Sequence, residues 1–335
     1  MHAAKHELFT GKMVNTILMY ICASFTHMKK RFLFALLFSV HGIVFGQEFE
    51  NRSPSRQQIH DTDIALLSPT QILEDSLVFF ADSMYFSALD ESRISGGYEF
   101  LRVFKKLIKS TTSFSAPLTK LKEKISILSA PDNSFKIYNW EIVRSPAVRR
   151  YYGAIQTNQG EVFPLVDVSD QILRGLEDSI FSNVRWYGCL YYNILQKKIN
   201  DQSVYFLLGW NGNSLNSEKK IIEAFGYNNK GQCVFGAPVF NVIDRGKRKQ
   251  SNRFVVEYQK AAKVSLNYDK EYDQIILDHC ESQIGDPAKK YTYIPDGTYD
   301  GLQWDNNQWV MRENAIEITE LKEGEAPLDK PILKN

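Results

Sequence analysis

Three short stretches carry residue types that could do chemistry. "GWNGNS", residues 209–214, sets Trp210 beside Asn211 and Asn213. It follows the apolar run "VYFLL", so it leaves a strand at the rim of a sheet, and Gly209 and Gly212 permit tight, left-handed backbone. A flat indole next to amide donors and acceptors suits a sugar ring, whose faces are apolar and whose edges carry hydroxyls. The competing reading is a plain Asn-Gly turn beside a core tryptophan. "LDHC" offers Asp278 and His279. On a regular strand these neighbours point to opposite faces, so only one of them can face a cleft. A core or rim histidine is the competing reading. "PDGTYDG", residues 295–301, puts Asp296 and Asp300 on a loop. Two loop carboxylates could hold calcium or act as an acid/base pair, although the spacing misses the calcium-loop pattern and also fits a simple turn.

What is missing narrows the chemistry further. Past residue 46 the histidines are His60 and His279, so a histidine-rich zinc site cannot be assembled, and no C-x-x-C or H-E-x-x-H spacing occurs. No G-x-S-x-G elbow, Walker loop or G-x-G-x-x-G fingerprint is present. Cys189, Cys233 and Cys280 lie far apart in apolar stretches and read as small buried hydrophobes rather than a disulfide framework. The expectation is therefore no metal and no cofactor.

The elements that must position these residues change character along the chain. Residues 47–67 form a polar linker. "SPTQ" then supplies Ser68 as a helix cap, Pro69 at the first helical position and Gln71 at the capping-box position. Ile72, Leu73, Leu77, Phe80 and Met84 follow at helical spacing. A second helix fits "GGYEFLRVFKKLIKS", and a third fits residues 118–128, with Leu118, Leu121, Ile125 and Leu128 inward. From Phe135 the chain turns to β-branched and aromatic runs such as "FKIYNWEI", "SVYFLLGW" and "RFVVEYQ", interrupted by one more helix at residues 172–181. "TNQG", "NNKG", "YDKEYD" and "DNN" are tight turns that make neighbouring strands antiparallel. The expected fold class is α+β: short N-terminal helices (68–131) packed on a mainly antiparallel β-meander (132–318) of barrel, sandwich or propeller type, with a flexible tail at 319–335.

Residues 28–46 fix the compartment. Lys29, Lys30 and Arg31 precede an apolar run of 14 residues, 32–45, and Val44 and Gly46 sit at the small-residue positions before a cut. That is a secretory signal, too short for a stable membrane span. The expected translation start is Met28, with residues 1–27 upstream of it. Removing residues 1–46 takes five of the 40 positive and one of the 39 negative residues, leaving a net charge of −3. A chain so nearly neutral gives no electrostatic case for nucleic acid. Its one dense basic run, "RGKRK" at residues 245–249, reads as a solvated loop.

"YNWEI", "WYGCLYY", "LLGWNGN", "KKIIEAFGY", "VFGAPVF" and "RFVVEY", in that order, resemble a group of exported proteins from Bacteroidetes-type bacteria. The resemblance covers roughly residues 135–313. It implies export to the periplasm or beyond and no particular activity. Two functions follow: a non-catalytic envelope-associated module for a glycan, peptide or partner protein, or a secreted hydrolase that works on polysaccharide through paired carboxylates. Mass spectrometry of mature protein from the native host should find its N-terminus at or within a few residues of Gln47. Recovery of peptides spanning Lys5 and Lys12 would overturn the signal assignment.

Overall fold

A computed structural model describes residues 67–316, apart from 146–147 and 245. The expected leader, almost all of the linker, and the tail lie outside these residues. The chain forms α1 (Pro69–Phe86), α2 (Asp90–Ile108) and α3 (Thr119–Lys122), then β1 (Ser126–Ser129), β2 (Phe135–Ser145), β3 (Val148–Thr157) and β4 (Val162–Val166). Next come β5 (Leu190–Ile199), β6 (Gln202–Asn211), β7 (Ser217–Tyr227) and β8 (Cys233–Phe235). β9 (Phe240–Asp244), β10 (Lys247–Ser251), β11 (Arg253–Gln259) and β12 (Leu266–Asp269) follow, and β13 (Gln274–Ser282), β14 (Tyr293–Asp305) and β15 (Gln308–Arg312) end the fold. The class is α+β. Strands join in three open sheets, ordered β1-β2-β3-β4, β11-β7-β6-β5 with β8 on β7, and β10-β9-β15-β14-β13-β12. Every named pair is antiparallel except β15 with β9.

The three sheets and the helices stack as four layers because alternate residues of one strand feed different cores. In β2, Phe135 and Ile137 pack toward the five-stranded sheet, while Tyr138, Trp140 and Ile142 pack under the helices. In β6, Tyr205 and Leu207 face the four-stranded sheet, and Phe206 and Leu208 face the six-stranded one. The period of two that defines a strand thus splits one apolar run between two interiors.

Local signals explain most ends. Ser68 and Gln71 form the reciprocal capping box, with Gln71 Oε1 accepting from the Ser68 N–H at 2.8 Å. Asn306 and Asn307 both have positive φ, which makes the two-residue turn between β14 and β15. α2 begins at Asp90, earlier than the sequence pattern indicates, because Gly96 and Gly97 sit inside it. A Cβ on Gly96 would lie 2.9 Å from the Met84 nitrogen of α1, so the glycine permits close helix contact.

Two expected helices are not formed as read. Residues 118–128 give only the four-residue α3 and then β1. Leu118 has φ +47°, and Leu128 belongs to a different core from Leu118, Leu121 and Ile125, so no single helix face serves all four. Residues 172–181 are irregular: Leu173 and Ile180 are exposed, and the carbonyls of Leu176 and Ser179 turn toward Arg253. Ile72 is likewise exposed, the buried stripe of α1 running through Glu74, Leu77, Ala81 and Met84. Of "RGKRK", Lys247 to Lys249 lie in β10 of the β9–β10 hairpin; the lysines line an exposed edge strand, a placement that discourages further pairing.

Gly96→Ala tests the helix contact. Helix propensity alone favours alanine by about 1 kcal/mol. The clash with α1 backbone should outweigh it and destabilise the protein by about 1–3 kcal/mol in urea unfolding. A raised or unchanged midpoint would mean that the helices separate freely.

Candidate functional site

A cleft of about 870 Å³ opens between the five-stranded and six-stranded sheets. Residues 253–257 of β11 and 277–282 of β13 line it as unbroken runs. Consecutive residues point to alternate faces of a sheet, so a cleft that touches them all runs along the strand edges. Neither edge has a strand partner there, and residues 290–292 pack beside β11. β11 is the last strand of its sheet, and β12 pairs with β13 only as far as Leu277. Residues 172–178 and the β9–β10 hairpin close the other sides.

The floor of β11 is fixed by its first residue. Arg253 donates its backbone N–H to the Glu177 carbonyl at 3.0 Å, away from β7. In an antiparallel ladder the same direction recurs every second residue. The N–H and C=O of Val255 and Glu257 therefore point away from β7, and among the described residues neither has a backbone partner outside the β7 ladder.

His279 stands at an interruption of the β13–β14 ladder. Asp278 pairs with Tyr299 and Cys280 with Pro295, so the one residue His279 faces the three residues 296–298. Gly297 at φ +94° and Asp296, whose Oδ1 accepts from the Thr298 N–H at 2.9 Å, build this bulge. It gathers an ionisable cluster. His279 Nδ1 donates to Asp300 Oδ2 at 2.8 Å, and its Nε2 lies 3.8 Å from Glu281 Oε1 and 3.9 Å from Asp296 Oδ2. Burial pulls the imidazole pKa down, but the hydrogen bond and charge of Asp300, with Asp296 and Glu281, outweigh it and leave it above its ordinary value. Asp296 is shifted the other way: burial opposes its charge, yet the Thr298 bonds and His279 hold it below the usual carboxylate range. Burial and the neighbouring acids push the Cys280 thiol up to about 12, so it stays protonated.

Four of the seven residues singled out in the sequence line or border this cleft. Asp278, His279 and Asp300 line it, and Asp296 joins the cluster from the bulge. Asp296 and Asp300 sit on β14, not on a loop. Asp278 turns aside to accept the Ser265 N–H at 2.7 Å. Because the strand is irregular at His279, the opposite-face rule fails and both neighbours border the cleft.

Trp210, Asn211 and Asn213 are not part of it. Asn211 is buried, its amide donating to the Gly188 carbonyl and its oxygen accepting from the Asn213 N–H. The Asn213 amide is spent on Ser217 and Glu257. Trp210 bonds Glu218 through its indole N–H at 2.9 Å, and the Arg149 guanidinium stands 5.2 Å from the ring centre. The amides that would hold sugar hydroxyls are thus committed internally. Glu281 was missed, although its i,i+2 spacing from His279 on a strand puts both on one side.

No protein-family model, no curated protein and no solved structure matches the chain.

The cluster makes a titration prediction. In chelator-treated protein, His279 should titrate above 6.5 by NMR, and Asp300→Asn should lower that value. A raised folded pKa means that the charged imidazole stabilises the fold fully below the unfolded value and that this contribution fades as pH rises through the folded one. An unchanged His279 titration in Asp300→Asn would refute the pairing.

Proposed function

We propose that the chain is an exported, envelope-associated binding module that holds an extended peptide segment in the cleft between β11 and β13. The observation that carries this reading is the pair of open strand edges facing one cleft. Unpaired strand groups are a template for another strand, and a peptide that adds to β11 would satisfy the Val255 and Glu257 backbone groups. The volume lies within the range of ligand clefts, roughly 300–1,000 Å³. Charges of both signs surround it, including Lys249 paired with Asp178 at 2.8 Å and Lys219 near Glu257, which suits a polar peptide better than an apolar ligand. Among the described residues no helix is long and apolar enough to cross a membrane.

The alternative, a carboxylate hydrolase, has less support. Its proton donor needs a raised carboxyl pKa, whereas Asp296 is lowered. Among the described residues His279 has no hydroxyl in hydrogen-bond contact; its side-chain hydrogen bond goes to the Asp300 carboxylate.

Val255→Pro separates the readings. The substitution removes an outward N–H and leaves the β7 ladder bonds in place. In a screen of displayed extended peptides, wild-type protein should select binders, and Val255→Pro should weaken the best of them at least tenfold with little change in melting temperature. Full retention by the variant, or no selection by the wild type, would reject strand addition. Hydrolysis of a polysaccharide panel that is lost in Asp296→Asn would favour the alternative.

A further inference from the structure

We infer that His279, Glu281 and Asp296 form a binding site for a first-row divalent cation of the zinc type, oriented by Asp300 at the wall of the cleft. One ligand atom from each of the three residues lies within 4.8 Å of the others. A tetrahedral cation bound at about 2.0–2.2 Å needs its ligand atoms roughly 3.4 Å apart. The gap is closed by small side-chain movements. The Glu281 side chain is 70% exposed and free to swing, and the bulge at Gly297 gives the Asp296 segment its own local geometry.

The cluster is more than a group of acids. The imidazole is oriented: Nδ1 is tied to the Asp300 carboxylate, which leaves the Nε2 lone pair directed at Glu281 and Asp296. A carboxylate behind a histidine is the arrangement that fixes tautomer and ring direction in metal sites. A second observation points to the missing occupant. The Asp300 side chain is 4% exposed and lines the cleft, and its Oδ1 is buried without a hydrogen-bond partner. A buried carboxylate oxygen is costly to leave unpaired. That oxygen lies on the Nδ1 side of the ring, out of reach of water on a cation at Nε2, so its missing donor would come from the group that fills the cleft. One nitrogen and two oxygens with an open position suit zinc and its first-row neighbours, because imidazole is a poor ligand for calcium or magnesium. The open position would take water or a group of whatever fills the cleft. The inference does not rest on the peptide reading.

The test uses the full chain, stripped with chelator and titrated with Zn²⁺ by calorimetry, alongside X-ray absorption at the zinc edge. One equivalent should bind, with one imidazole nitrogen and oxygen ligands but no sulfur in the first shell. His279→Ala should weaken binding at least a hundredfold, and Glu281→Gln at least tenfold. Asp300 is a positioning residue. At a pH above the His279 titration, Asp300→Asn should weaken Zn²⁺ binding roughly 10–100-fold with unchanged melting of the metal-free protein, and Asp300→Glu should restore part of the affinity. Val255→Pro should leave Zn²⁺ binding unchanged, so failure of the peptide reading and failure of the metal site are told apart. Zinc binding that survives His279→Ala, sulfur in the first shell, tighter binding of Ca²⁺ than of Zn²⁺, or no stoichiometric binding at all would each overturn the inference.

Discussion

The cleft depends on a buried ion pair between Arg253 of β11 and Glu223 of β7. Both side chains are almost wholly removed from water. Taking charges out of water is expensive, and the attraction offsets that cost only if the remaining donors and acceptors are also paired. Here they are. Arg253 donates to Glu223 through Nε at 2.8 Å and again through Nη2, and its Nη1 donates to the Leu176 carbonyl at 2.6 Å and the Ser179 carbonyl at 3.2 Å. The Phe181 ring covers the guanidinium at 4.8 Å. Glu223 accepts a third hydrogen bond from Tyr191, whose hydroxyl accepts in turn from Trp186 Nε1 at 2.8 Å. Burial pushes the Tyr191 pKa well above its ordinary value, so the hydroxyl remains a donor. One chain of bonds therefore ties β5, β7 and β11 to the irregular segment 172–181. Two of these, β11 and that segment, are walls of the cleft.

Other buried polar groups hold the sheets to one another in the same way. Asn139 of β2 donates to the Cys189 carbonyl and accepts the Tyr191 N–H at 2.8 Å, a side-chain imitation of strand pairing that links two sheets. Gln156 of β3 binds the Ile108 carbonyl and Ser113 and accepts from Tyr138, joining sheet to helix. Asp167 accepts N–H groups from Tyr151, Ser169 and Gly188. Apolar packing sets the distance between layers, and these fully satisfied groups set their register, because a shift of one residue would leave each of them unpaired.

What was legible in the sequence was local. The Ser68 cap, the turn chemistry of "TNQG" and "DNN", and the period-two strands act over a few residues and survive in the fold. What was not legible depended on distant partners. Residues 172–181 carry a helical pattern, but Arg253, more than 70 residues later, takes their carbonyls out of any helix ladder. Gly96 and Gly97 look like a helix start because nothing local shows that α1 lies against them. Trp210 and its asparagines looked like a ligand surface because no local rule reveals that Gly188, Ser217 and Glu257 use the amides. The histidine count spoke only to a histidine-rich site, and the carboxylates beside His279 come together only on folding. Asp296 and Asp300 were noticed as a pair, and His279 apart from them. Only the bulge puts them together.

That bulge explains why reactive groups and structural groups are separated. Setting His279 against residues 296–298 gives up ladder bonds and crowds three carboxylates around one imidazole. Neither feature favours folding by itself, since like charges repel and an unpaired Asp300 oxygen is costly. Such a cluster persists because the surrounding structure over-determines it. β13 and β14 are held by their own regular pairing before and after the bulge, from Gln274 to Asp278 and from Cys280 to Ser282. β11 is held independently by Arg253 and Glu223. The strained part is thus bracketed by ladders that do not need it, and the edge that faces it is anchored from the opposite side. A change at the cluster can alter what the cleft holds without loosening its walls, whereas a change at Arg253 loosens a wall without touching the cluster.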